Sequence, residues 1–202
     1  MRFRLFRTEI TVSFPLLCLL AAGIISGVLQ GFWWCAAAII IHESGHLLAM
    51  IRYGYFPERI KITLFQITVS DPLRPQRRGR ENFWIIFFGP FANFICVIPL
   101  YLLYLKGFDG ILPFAAANLS VGLFNLLPVL SLDGGQLLYL LLSRRLSQQR
   151  AENAVNITTF VLIFPLAALG FLLLLRSKRN ISLLLVSVYL VFSLLCRDNR
   201  YY

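Results

Sequence analysis

No charged side chain falls between Glu9 and Glu43, and none between Glu81 and Lys106. A helix needs about 20 apolar residues to cross the hydrocarbon core of a bilayer. The first interval therefore holds one full span and most of a second, and the later interval holds a third. Inside lipid the backbone has no water to bond, so a chain crosses as helices or as a closed barrel. Runs of this length suit helices. Composition agrees: 58% of residues are hydrophobic, 14% are charged, and the mean hydropathy is +0.75, which calls for lipid as solvent. The expected fold is an all-α polytopic membrane protein of about six transmembrane helices, with a small β-strand or hairpin insertion after the second.

In chain order, the first helix is expected near Thr11–Leu29, with Pro15 in its first turns and Gly27, Gln30 and Gly31 at the turn that follows. The opening MRFRLFR and the apolar run after it have the charge order of a signal sequence. No small-residue cleavage site stands out, so the run reads as an uncleaved first helix. The second helix is expected near Phe32–Tyr53, with Trp33 and Trp34 in the interfacial aromatic belt. Residues 54–82 form the only sizeable polar stretch. Within it Ile60–Ser70 is β-branched and alternating, with a change of phase at Leu64–Phe65, and reads as a strand or a bulged hairpin. Asp71–Arg80 is a basic loop. The third span contains Gly89-Pro90-Phe91-Ala92-Asn93, where Pro90 either kinks the helix or, with its small neighbours, lets another helix approach. Gly107–Gly110 reads as a tight turn. The fourth segment starts at Ile111 and is broken by Asn125–Gly135. A short helix Gln136–Ser143, a polar loop Arg144–Asn156, and spans at Ile157–Leu175 and Ile181–Cys196 complete one domain over 1–202.

The formal net charge of +10 raises the question of nucleic acid, but no basic stripe interleaved with aromatics is present. Basic residues concentrate beside cytosolic helix ends. With the N-terminus in the cytosol, the inner segments hold Arg2, Arg4, Arg7, Arg52, Arg59, Lys61, Arg74, Arg77, Arg78, Arg80, Arg144, Arg145, Arg150, Arg197 and Arg200. The outer segments hold only Lys106, Arg176, Lys178 and Arg179. Fifteen of the 19 basic residues thus favour both termini in the cytosol. Cys18, Cys35, Cys96 and Cys196 lie in or beside apolar runs without metal-ligand spacing and read as reduced packing residues.

The second span carries polar groups that lipid penalises. His42-Glu43-Ser44-Gly45-His46 is an H-E-x-x-H sequence and contains both histidines of the chain. Positions i and i+4 share one helix face, so both imidazoles reach one metal ion. Glu43 beside them can take a proton from the attacking water. An ionisable group at the bilayer centre costs about 2.5–3.5 kcal/mol or more on insertion scales, so three in five residues argue for function. His42 lies about 14 Å along the helix from Trp33 and His46 about 9 Å from Arg52, inside the membrane and nearer the Arg52 end. A catalytic zinc takes three protein ligands. Of the nine acidic residues only Glu43 and Asp133 are expected at membrane depth, and with Glu43 needed as base, Asp133 is the best candidate for the third ligand. Taken alone, Asp133-Gly134-Gly135 is an ordinary turn signal. Asn125, in the same broken element, serves either to hydrogen-bond substrate or oxyanion or to satisfy freed backbone groups. The Ile60–Ser70 strand either pairs with an extended substrate peptide or is purely structural.

These residues resemble the site-2 protease family of intramembrane zinc metalloproteases. His42-Glu43-x-x-His46 matches its zinc motif, Asn125-x-x-Pro128-x-x-x-x-Asp133-Gly134 matches its second motif, and Gly89-Pro90-x-x-Asn93 resembles a frequent feature of its third span. The resemblance covers about residues 32–143. It implies one zinc ion held by His42, His46 and Asp133, with Glu43 activating water. It also implies cleavage of a membrane-associated regulator, such as a transcription-factor precursor or an anti-sigma factor. NLLPVLSLDGGQ resembles the bacterial branch containing the stage IV sporulation protease FB, which processes a sigma-factor precursor. It implies a multi-pass protein of the bacterial cell or forespore membrane, with regulatory membrane proteins as further partners. The CBS and PDZ domains of other members are not expected here. Two other readings use the same ligands: a membrane metal transporter and a non-catalytic metal-binding scaffold. Neither needs Glu43 as a base.

Overall fold

The structure is a computed structural model that describes residues 2–5, 8–12, 30–56, 59–62, 67–70 and 77–176. Two compact units divide it, Met1–Leu123 and Phe124–Tyr202.

In the first unit, helix α1 (Gln30–Arg52) and helix α2 (Gly79–Leu105) are long and apolar enough to cross a membrane. Both end in the same way. Gly54 after α1 and Gly107 after α2 have positive φ, 80° and 93°, a conformation without steric cost only for glycine. Each lets the next amide turn back onto the last turn: Tyr55 N–H donates to Met50 O and Phe108 N–H to Leu103 O. This closing pattern satisfies carbonyls that a helix end leaves free. Pro90 and Pro99 both lie inside α2; the helix continues through Pro90 rather than breaking there. A 3-10 turn, Asp109–Ile111, leads into helix α3 (Leu112–Asn125). α1 packs along α2, with Ala49, Met50 and Ile85 buried together and Tyr55 against them. Trp34 meets Phe114 of α3 at 5.2 Å between ring centroids. The Tyr55 hydroxyl donates to Glu81 at 2.6 Å, and the Arg77 guanidinium lies 4.8 Å from the Tyr55 ring centre. These contacts join the end of α1 to the start of α2.

Four short strands form one sheet in the order β1 (Arg2–Leu5), β2 (Thr8–Val12), β3 (Arg59–Ile62), β4 (Ile67–Ser70). β1 and β2 are antiparallel, β2 and β3 parallel, and β3 and β4 antiparallel with Arg59 opposite Ser70. Thr11 and Val12, expected to open the first helix, belong instead to β2. Glu9-Ile10-Thr11-Val12 alternates polar and apolar residues with the period of a strand, and Val12 pairs with Ile62. The rest of that expected helix, residues 13–29, and the expected last span at Ile181–Cys196 lie outside the described residues.

In the second unit, helix α4 (Asp133–Leu142) and helix α5 (Gln148–Arg176) pack together. Leu130, Tyr139, Ala151 and Val155 form one buried cluster, and Val129, Leu132 and Ile163 another. α5 begins at Gln148, so most of the polar loop expected over Arg144–Asn156 is helical. No glycine or proline interrupts 148–156. Ala151 and Val155 supply an apolar i, i+4 pair, both fully buried, and burial of that face outweighs the polar composition of the first turns. α4 likewise starts three residues earlier than expected, at Asp133.

Candidate metal centre

In the first unit two helical stripes face each other with the same period. Ala38, His42 and His46 lie one turn apart on α1. Ile85, Gly89 and Asn93 lie one turn apart on α2, so the i, i+4 rows meet. Gly45 marks the closest approach. A Cβ there would run into the Phe88 carbonyl and the Ala92 side chain, the small-residue contact that lets membrane helices pack tightly. Gly89 has a more specific place. A Cβ on Gly89 would collide with the ring of His46 at Cε1 and Nε2. With that space open, the imidazole lies flat enough against α2 for His46 Nδ1 to reach Ile85 O at 2.8 Å. A carbonyl only accepts, so His46 Nδ1 carries the proton and Nε2 the lone pair.

His42 is 4% exposed, and its Nδ1 lies 3.0 Å from Asn93 Oδ1. The Asn93 amide nitrogen donates to Ala38 O at 2.9 Å and to Asn118 Oδ1 at 3.0 Å, and Asn118 donates in turn to Phe114 O at 3.0 Å. Asn93 and Asn118 are both fully buried. The two imidazoles stand edge to face, with their Nε2 atoms 3.2 Å apart. With both Nδ1 atoms protonated, those Nε2 atoms are two acceptors at hydrogen-bond distance and cannot bond each other. A cation between them resolves the repulsion. Two nitrogens each about 2.0–2.1 Å from a tetrahedral zinc stand about 3.3 Å apart, so the donor set and its spacing fit such an ion. Glu43 is half-buried on the same helix turn, and Ser44 turns away to bond Ile40 O at 2.7 Å.

In the second unit Asp133 is the first residue of α4, following Leu132 in extended conformation. A helix N-terminus favours a carboxylate. The chain between α3 and α4 is held turn by turn. Leu127 N–H donates to Phe124 O, Val129 N–H to Leu127 O, and Leu132 N–H to Val129 O. Leu130 N–H donates to the buried Thr159 hydroxyl at 3.0 Å, which itself donates to Val155 O at 2.8 Å. The loop folds so closely over the start of α4 that a Cβ at Gly134 would strike Leu126 O and one at Gly135 would strike Val129 O. Gly134 and Gly135 thus leave room for the backbone that delivers Asp133. Asn125 ends α3 and is half-buried.

The structure therefore brings His42 and His46 together within the first unit and sets Asp133 and Asn125 at the two ends of the loop at 126–132. Sequence reasoning missed Asn118 and Thr159. The signal for Asn118 was available: an amide in the apolar run of α3 is as conspicuous as a histidine in α1. Ile85 carries no such signal, because its backbone carbonyl does the work.

A family model for peptidase family M50 matches residues 106–166, the segment with Asn125, Pro128 and Asp133. The chain is 29% identical over 187 residues to stage IV sporulation protein FB of Bacillus subtilis (strain 168), covering 89% of this chain and 63% of that protein. It is 26% identical over 198 residues to a zinc metalloprotease of Methanocaldococcus jannaschii, covering 91% of this chain and 55% of that protein. It thus spans less than two thirds of the length of these relatives. Among solved structures, the site-2 protease from Methanocaldococcus jannaschii superposes with a TM-score of 0.69 at 23% identity, covering 95% of this chain and 92% of that one. The fold is thus that of the solved site-2 protease, and the paired imidazoles have the spacing of two ligands to one metal ion. In sequence the chain is similar to peptidase family M50 over residues 106–166, and in fold it is similar to a site-2 protease.

Proposed function

We propose that the chain is an intramembrane zinc metalloendopeptidase, cutting a membrane-associated regulatory protein near the cytosolic face of a bacterial membrane. The observation that carries this reading is the convergence of His42 and His46, Nε2 to Nε2 at 3.2 Å, with each Nδ1 against an acceptor. In this reading His42, His46 and Asp133 would hold one zinc ion. Support for Asp133 comes from its place in the second motif and from the loop and paired glycines that position it. A zinc ion at these residues would supply an acidified water, with a pKa of about 7, and a Lewis acid for the scissile carbonyl. Glu43 takes the proton from the attacking water and hands it to the leaving amine. Asn125 donates a hydrogen bond to the substrate carbonyl as negative charge develops on it.

A helical substrate hides its peptide bonds, so it must unwind to be cut. β4 lies at an edge of the sheet, and an extended peptide can pair there. The distribution of basic residues supports a multi-pass arrangement with both termini in the cytosol. The M50 match supports peptide-bond hydrolysis, and the similarity to a sporulation protein, with the resemblance of NLLPVLSLDGGQ to that branch, supports a sigma-factor precursor or anti-sigma protein as substrate.

Co-expression with a panel of membrane-tethered precursors of this kind tests the reading. Cleavage by the native chain, lost in Glu43→Gln, is expected. Equal cleavage by both removes Glu43 as the base.

A further inference from the structure

The hydrogen-bond chain behind His42 runs in only one direction. Its far ends, Ala38 O and Phe114 O, are backbone carbonyls and can only accept. Phe114 O takes a proton from the Asn118 amide nitrogen, which turns Asn118 Oδ1 toward Asn93. Asn93 therefore presents its own nitrogen to Asn118 and to Ala38, and both amide protons are committed. Its Oδ1 is left facing His42 at 3.0 Å. No alternative flip of either amide satisfies both carbonyls.

We propose that Asn93, itself oriented by Asn118, is a positioning residue that holds His42 in the Nδ1–H tautomer and so keeps its Nε2 lone pair available to a divalent cation. Neutral imidazole in water prefers the opposite tautomer, with the proton on Nε2. In that form His42 would turn a proton toward the ion instead of a lone pair. Water is not at hand to replace the amide, because Asn93 and Asn118 are fully buried. His46 has a separate device, the Ile85 carbonyl. The two histidines are therefore set independently, and perturbing Asn93 changes one and spares the other. The inference rests on the metal-centre part of the proposed function and not on proteolysis.

The test uses the full chain in detergent micelles, labelled with nitrogen-15 in histidine. Two-bond proton–nitrogen correlation of the metal-free protein reads each tautomer, and competition with a chromophoric chelator reads zinc affinity. The native chain is expected to show Nδ1–H on both histidines. In Asn93→Leu the His42 signals move toward Nε2–H, those of His46 stay, and zinc affinity falls about 10–100-fold, the range for losing a partner behind a ligating histidine. Asn118→Leu shifts the same signals by less. Asn93→Asp keeps the acceptor and restores the tautomer. It also keeps the inference testable, together with the native spectrum, should Asn93→Leu not fold. An Nε2–H His42 in the native protein overturns the proposal, as does an Asn93→Leu protein with native tautomers and zinc affinity within about twofold. A native chain with Nδ1–H histidines and no zinc affinity overturns the metal-centre reading itself, which distinguishes the two failures.

Discussion

Replacing Gly89 with alanine separates a generic helix effect from a specific one, because the two have opposite signs. In a helix interior, glycine is less stable than alanine by about 0.5–1 kcal/mol, so the change by itself should stabilise α2. The added methyl, however, occupies the space taken by His46 Cε1 and Nε2. Carbon atoms settle at about 3.5–4.0 Å, so the ring must retreat by about 1.2–1.7 Å. Metal–ligand distances tolerate about 0.2 Å, and the same retreat draws Nδ1 away from Ile85 O. Gly89→Ala is therefore expected to lose zinc affinity by at least about 100-fold, the upper end for an outer-sphere partner, while its thermal unfolding temperature changes little, the helix gain being offset by loss of the His46–Ile85 hydrogen bond, about 0.5–1.5 kcal/mol. The assay is chelator competition in parallel with thermal unfolding of the metal-free chain. Gly31→Ala serves as control, since a Cβ there meets nothing within 4 Å, and should leave zinc affinity unchanged. A Gly89→Ala protein that binds zinc like the native chain would refute the argument that this glycine seats His46.

Other expectations follow from the same reasoning. Glu43→Gln should keep zinc and lose peptide cleavage by about 10²–10⁴-fold, the usual weight of a general base, as read on a gel with a reconstituted substrate. Thr159→Val removes the buried hydroxyl that accepts from Leu130 N–H and should destabilise the chain by about 0.5–1.5 kcal/mol; Thr159→Ser should restore most of it in thermal unfolding. Gly134→Ala places a carbon on the Leu126 carbonyl and should lower both zinc content, measured by metal analysis, and cleavage, because the loop before Asp133 must open to admit it.

The helical segments were legible where their cause is local. Uncharged length placed α1 and α2, and the turn at Gly107–Gly110 marked the end of α2. The H-E-x-x-H spacing placed both imidazoles on one face of α1, where the structure has them. What lay beyond the sequence depended on partners distant in the chain. Asn93 resembled a family feature, but its contact with His42 is 51 positions away, and no spacing rule reaches that far. The start of α5 was masked by its polar residues, which sit on a helix because Ala151 and Val155 face the core. Thr8–Val12 was taken partly into a helix because its neighbours are apolar, whereas pairing with β3 decides its state.

Zinc-edge X-ray absorption of the purified native chain, beside Asp133→Ala, tests the central claim most directly. The account predicts one zinc per chain with two imidazole nitrogens and a carboxylate oxygen at about 2.0–2.2 Å. The oxygen contribution should diminish in the variant. Sulfur in the ligand shell, a single imidazole, or a spectrum unchanged by Asp133→Ala would contradict it.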